Sequence, residues 1–228
     1  MKKIIVALSM IIISSVMIAQ SDYSQFTREI QNYTDNYSDD QVIGLYENHY
    51  GVPRNSLIQI FGGFGYNWGN VTLGLEISNL LSVPVADLLG IYRQYPEGKG
   101  WGAVAKRYGI MPGYPQFHRM KAMMSEKNRH WSDIYNVYRI NPNPSVGRRN
   151  RVIISENLIR IGTLSPKEMK KINKEIEKRN KKIYKQQKKM VKKWEKKNKE
   201  IRKERDKRIK EQNKRMKNGY LVMAKQTQ

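Results

Sequence analysis

Apolar side chains recur every three or four residues along most of the chain, and little of it alternates with a period of two. That spacing predicts helices and an all-α fold. Tyr23, Phe26, Ile30, Tyr33 and Tyr37 make one helical stripe, and Ser38-Asp39-Asp40-Gln41 forms a capping box for a second helix through His49. Asn55 to Phe61 and Val85 to Arg93 follow prolines and carry apolar residues at helical spacing until glycines stop them. Asn67 and Gly100 open partner helices that bury Val71, Leu75 and Val104, the later one ending at Gly109.

Two of these hairpins repeat. Val52-Pro53 precedes Leu57-Ile58-Gln59-Ile60-Phe61, and Val83-Pro84 precedes Leu88-Leu89-Gly90-Ile91-Tyr92, an offset of 31 residues. Each copy then reaches a Trp-Gly pair, Trp68-Gly69 and Trp101-Gly102. Trp131-Ser132-Asp133-Ile134 reads as a decayed third copy. The expected architecture is a bundle of short helices built from degenerate ~31-residue helical hairpins over 22–140. A loop or linker is expected over 141–164, with one short apolar run at Val152 to Ile154.

The two ends follow different patterns. Lys2 and Lys3 precede an almost wholly apolar run from Ile4 to Ala19, and Gln20-Ser21-Asp22 then turns polar. This order predicts a signal peptide over 1–19 with cleavage near Ala19, because the run is shorter than the ~20 residues of a spanning helix. The product would be exported, either periplasmic or extracellular. At the other end, Ser165-Pro166-Lys167-Glu168 places a cap, an N1 proline and an N3 glutamate in register. No glycine or further proline follows until Gly219, so one long helix is expected over 165–218, with a disordered end at 219–228.

Charge sharpens this division. The net charge is +23, yet residues 21–164 are nearly balanced, with 15 Lys+Arg and 12 Asp+Glu. Residues 166–217 hold 25 Lys+Arg against 8 Asp+Glu. Six acid-to-base pairs at four-residue spacing, Glu175–Arg179 and Glu204–Arg208 among them, support the helix locally. A seam of Ile172, Ile176, Asn180, Ile183, Gln187, Met190, Trp194, Asn198, Ile201, Arg205, Ile209, Gln212 and Met216 recurs at about 3.67 residues per turn. Self-association through 166–217 is therefore one expectation. The tail is otherwise read as separate from the folded domain, so its removal should leave melting nearly unchanged.

Candidate chemistry is sparse. The chain has no cysteine, which excludes disulfides, thiol nucleophiles and Cys-ligated zinc. His49, His118 and His130 show no ligand spacing, and neither metal nor cofactor is expected. Gly62-Gly63-Phe64-Gly65 lacks the Gly-Lys-Ser/Thr ending of a phosphate loop. Val85 to Leu89 followed by Gly100 to Ile110 resembles a helix-turn-helix, but its turn is longer than the 3–4 residues of that motif and the leader argues for export. Glu47, Glu76 and Asp87 are the acids a cell-wall hydrolase could use. Isolated helical acids are commonly solvated or capping, so the reading leans away from an enzyme.

Binding remains. Lys188, Lys189, Lys192, Lys193, Lys196 and Lys197 form the densest basic stretch, on two sides of Trp194, and are the candidate polyanion site. Phe64, Tyr66 and Tyr95 in the hairpin turns are expected to be exposed and are candidate aromatic ligand contacts, whereas Trp68 and Trp101 read as core. The leading expectation is an exported non-enzymatic protein, envelope-associated or secreted. Its basic helix would engage lipopolysaccharide, an anionic wall glycan, nucleic acid or an anionic membrane surface. The alternatives are a wall hydrolase localised by the tail, and a structural spacer that self-associates through it.

Overall fold

The computed structural model describes residues 22–96, 99–162 and 165–226, with side-chain environments up to residue 213. The leader expected over 1–19 lies outside the described residues. Among those described, the fold is all-α, with a long C-terminal helix. The chain divides into two compact units, one reaching Ile183 and the other beginning at Tyr184.

The first unit opens with α1 (residues 22–34), whose Tyr23, Phe26 and Ile30 are buried as the stripe predicts. Tyr37 lies in the turn that follows and stacks on Tyr135. Ser38 and Gln41 form the expected capping box, starting α2 (Asp39–Tyr50), and Gly51 ends it in the left-handed conformation. Next come α3 (Arg54–Gly63) and α4 (Trp68–Leu81), joined by a tight turn through Gly65 and Tyr66, both at positive φ. Asn67 caps α4 by accepting the Asn70 amide at 2.8 Å. The second hairpin is α5 (Val85–Tyr92) and α6 (Gly100–Arg107). Pro53 and Pro84 both occupy the N-cap of their helices, one position before the first turn, with nearly equal φ and ψ.

The repeat is visible in what the tryptophans do. Trp68 Nε1 donates to Asp39 Oδ1 at 2.8 Å, in the first turn of α2; Trp101 Nε1 donates to Asn70 Oδ1 at 2.9 Å, in the first turn of α4. Each indole thus ties its helix to the start of an earlier one. Phe61 and Tyr92, which correspond across the repeat, both lie against the tryptophan of their own hairpin. The Trp-Gly pair has a steric reason in the first copy, where a Cβ on Gly69 would meet the Thr27 carbonyl oxygen of α1 at 1.8 Å. Trp131 is different. It sits in the middle of the unbroken α7 (Pro115–Ile140), against Tyr46 and His49, so no third hairpin forms around it.

Two expectations about connectivity are corrected. Residues 141–162 do not form a free linker. A short 3₁₀ helix (Pro144–Arg148) packs on α2, and the chain then runs alongside its end, with Val152 N–H donating to the His49 carbonyl and Ile154 N–H to that of Tyr50. Ile154, together with Leu158 and Ile159 of α8 (Glu156–Ile159), is buried.

The start of the basic helix is likewise part of the core. In α9 (Pro166–Gln226), Ile172 and Ile176 are buried, Ile172 filling the notch left by Gly62. Arg179 Nε donates to Asp39 Oδ2 at 2.9 Å, and its guanidinium lies over the Phe61 ring. Asn180 accepts the Asp39 amide at 2.7 Å, supplying an N-terminal partner for α2. Arg179 therefore serves Asp39, while Glu175 pairs with Lys178 instead. Burial of each isoleucine contributes about 1.5–3 kcal/mol. Deleting 166–228 should accordingly cost the domain about 3–6 kcal/mol, whereas deleting 184–228 should leave thermal melting nearly unchanged. Equal melting of both truncations would contradict this docking. Past Gly219 the helix continues to Gln226, since one glycine costs a helix only about 1 kcal/mol.

Candidate functional site

The basic helix begins at a reciprocal cap, with Glu168 N–H donating to Ser165 Oγ at 3.3 Å and Ser165 N–H to Glu168 Oε2 at 2.9 Å. The Ser165 hydroxyl, which donates to Glu168 Oε2 at 2.7 Å, and then the Ser165 amide hold the Glu168 carboxyl below the usual range of glutamate. From Tyr184 onward the helix forms its own unit, carrying 18 Lys+Arg and 5 Asp+Glu over residues 184–226. All six candidate lysines, Lys188, Lys189, Lys192, Lys193, Lys196 and Lys197, are exposed. At about 3.6 residues per turn they span an arc of roughly 180°. They line one half of the cylinder, and Trp194 projects from the other half. Glu204 pairs with Arg208 at 2.5 Å as the four-residue spacing predicts. Between residues 185 and 199 the lysine-bearing half carries no aspartate or glutamate, whereas Glu200, Glu204, Asp206 and Glu211 interrupt it further on. The basic stretch suits extended anions rather than a single small one.

The aromatic candidates separate. Tyr95 is 48% exposed and Tyr66 is half-buried with its ring edge against Phe61. Phe64 is fully buried, which corrects its assignment as an exposed ligand contact. Its ring stacks on Trp101 and fills space over Gly74, where a Cβ would come within 2.6 Å of it. A turn residue became a core residue because the facing helix supplies a glycine slot. No shared aromatic platform is formed by the three.

The acids separate too. Glu76 is 2% exposed and its carboxylate is taken up by Lys127 Nζ at 3.2 Å and Tyr50 Oη at 2.9 Å. Burial raises the Glu76 pKa, with Lys127 opposing the shift. A carboxylate so enclosed cannot reach a polymeric substrate, and Asp87 sits exposed on α5 while Glu47 is half-buried on α2. Two carboxylates flanking a substrate, the geometry of glycoside hydrolysis, are not assembled from these three.

What the sequence left unmarked is a buried polar cluster drawn from α2, α4 and α7. Beside the Glu76–Lys127 pair, His49 is fully buried, with Nδ1 3.1 Å from the Gly147 carbonyl and 3.4 Å from His130 Nε2. Burial and the nearby His130 and Lys127 lower the His49 pKa to about 3, so the ring is neutral at pH 7. His130 is lowered as well, chiefly by burial. Lys127 and His130 also line an open cleft of about 360 Å³ with Glu126, Arg129, Asp133 and Asn150. Charges of both signs line it, and among the described residues no group of three His, Asp or Glu side chains could hold a metal ion. Periodicity could not reveal this cluster, because its members come from helices far apart in the chain.

Because His49 is held below its unfolded value, its contribution to stability is fully present above pH ~6.5 and is lost as pH falls through that value toward about 3. Glu76 and Asp39, raised by burial, act oppositely and gain stability as pH falls. Urea midpoints compared between the parent chain and His49→Phe should isolate the histidine. The variant should start lower at pH 7, where Gly147 loses a donor, and fall less steeply between pH 6.5 and 4. Parallel pH profiles would show that His49 does not titrate against folding.

Compared with protein-family models, curated proteins and solved structures, the chain matches none.

Proposed function

We propose that this chain is an exported, non-enzymatic binding protein whose basic C-terminal helix engages an anionic polymer or an anionic membrane surface. The carrying observation is the run of six exposed lysines, Lys188 to Lys197, on one half of the helical segment 184–226, which holds 18 basic and 5 acidic residues. Such a rod attracts polyanions chiefly by releasing their condensed counterions, which needs charge density and no shaped pocket. The folded domain has the role of a platform. Its Asp39, Phe61 and Gly62 hold the part of the same helix that belongs to the first unit, around Ile172 and Arg179.

Lipopolysaccharide phosphates, anionic wall glycans and extracellular nucleic acid all present the required charge. Export rests on the Lys2-Lys3 start and the apolar run to Ala19. The decisive experiment is polyanion binding by the full chain before and after the six lysines are changed to glutamine, at several salt concentrations. Binding that is unchanged by the substitutions would move the contact to other cations of the chain, and binding that also survives deletion of 166–228 would place the partner on the globular domain.

A further inference from the structure

The half of the α9 rod opposite the lysines carries information that simple polyanion binding does not use. Met190, Val191, Trp194, Ile201 and Ile209 are all large, apolar and 45–66% exposed. On a helix of about 3.6 residues per turn they fall within one sector of roughly 100°. Between 184 and 213 that sector contains no lysine, aspartate or glutamate; Arg205 and Arg208 are its charged members, and Gln187, Asn198 and Gln212 complete it. The lysines crowd the other side. The second unit is therefore amphipathic as well as basic.

Three occupants could use an apolar sector. A soluble polyanion such as duplex DNA would use the cations and leave Trp194 and the isoleucines in water. A second copy of the helix would bring together two rods with 18 basic and 5 acidic residues each, across a seam interrupted by Arg205 and three amides. An anionic bilayer uses both halves: its headgroups neutralise lysines, and the interfacial zone accepts tryptophan and aliphatic side chains. The span from Tyr184 to Gln226 is about 64 Å at 1.5 Å per residue, and no helix among the described residues is long and apolar enough to cross a membrane. The helix would therefore lie in the plane of the surface.

We propose that residues 184–226 form an interfacial helix that binds anionic phospholipid bilayers lying flat, with Met190, Trp194 and Ile201 inserted below the headgroups. This rests on the reading of the basic helix as the polyanion site and narrows its partner to a lipid surface. Trp194 is both an anchor and a reporter, since Trp68, Trp101 and Trp131 are buried in the first unit.

The test uses the full chain with vesicles of phosphatidylglycerol and phosphatidylcholine, vesicles of phosphatidylcholine alone, and duplex DNA. Mixed vesicles should shift the tryptophan emission to the blue, and Trp194→Phe should abolish the shift. Lipids brominated near the headgroup should quench the same emission. Changing Met190, Trp194 and Ile201 together to glutamine should weaken vesicle binding about 100-fold, the loss expected when three inserted side chains no longer bury apolar area. The same variant should hold its DNA affinity within about twofold, since counterion release is untouched. Mixed-vesicle binding unaffected by the triple change, without an emission shift, would overturn insertion while leaving the polyanion reading intact. A dimer in sedimentation equilibrium that the triple change dissociates would also overturn it, assigning the sector to a second copy. Binding to neither vesicles nor DNA would overturn the polyanion reading itself.

Discussion

Trp68→Ala and Trp101→Ala should each lower the stability of the folded unit by about 3–5 kcal/mol, measured by urea or guanidinium unfolding. Both indoles are 1% exposed. Trp68 is stacked on Phe61 at 4.2 Å between ring centroids and meets Tyr46 edge-on at 5.0 Å. Trp101 lies between Phe64 and Tyr92 at 5.2 and 5.0 Å. Truncation to alanine opens a cavity that rings this large cannot close, and it also strands a buried acceptor. Asp39 would retain Arg179, but Asn70 Oδ1 would lose the indole that binds it. Tryptophan to phenylalanine should preserve most of the packing and cost about 1–3 kcal/mol for the unmet acceptor. Small and equal losses from both alanine variants would show that the Trp-Gly turns are not anchors of the repeat.

The same residues show how much of the fold was legible. The matched hairpins could be read because proline, apolar run, turn and tryptophan recur in order, and each of these has a local cause. The caps at Ser38 and Ser165 were legible for the same reason, since side chain and backbone partner lie three residues apart. Phe64 was misplaced because its burial depends on Gly74, on the facing helix, and no local pattern encodes that slot. The stretch from 141 to 162 has little periodicity, yet it is fixed by hydrogen bonds to backbone groups at the end of α2, which any sequence could offer.

The basic helix conceals its root in a similar way. Glu175–Arg179 satisfied the four-residue rule, but a buried carboxylate at Asp39 is a stronger partner for a guanidinium than an exposed glutamate on the helix surface. The seam was legible as a period. Its division between a part that completes the domain core and a part that faces solvent was not, since both parts share one spacing. Of the candidate site, the density of the six lysines was legible, whereas their gathering on one half of the helix was not, and neither was the buried Glu76–Lys127 and His49–His130 cluster.

Changing Lys188, Lys189, Lys192, Lys193, Lys196 and Lys197 to glutamine should flatten the salt dependence of polyanion binding while the domain stays folded. For duplex DNA the slope of log affinity against log salt is about −0.9 per phosphate neutralised. A helix engaging 6–10 phosphates should therefore lose ~10³–10⁵ in affinity between 50 and 200 mM salt. The six lysines lie on one half of the cylinder, the arc that can face a single strand or surface at once, so their removal should take most of that slope. All six are exposed and lie in the second unit, so the glutamines remove no contact that the core uses. Lys185, Lys199 and Lys203 extend the same face and should preserve a shallow residual slope. Fluorescence titrations at four or five salt concentrations separate the two cases. A parent slope near zero would remove counterion release as the driving force, and an unaltered slope in the variant would move the contact to other cations of the chain.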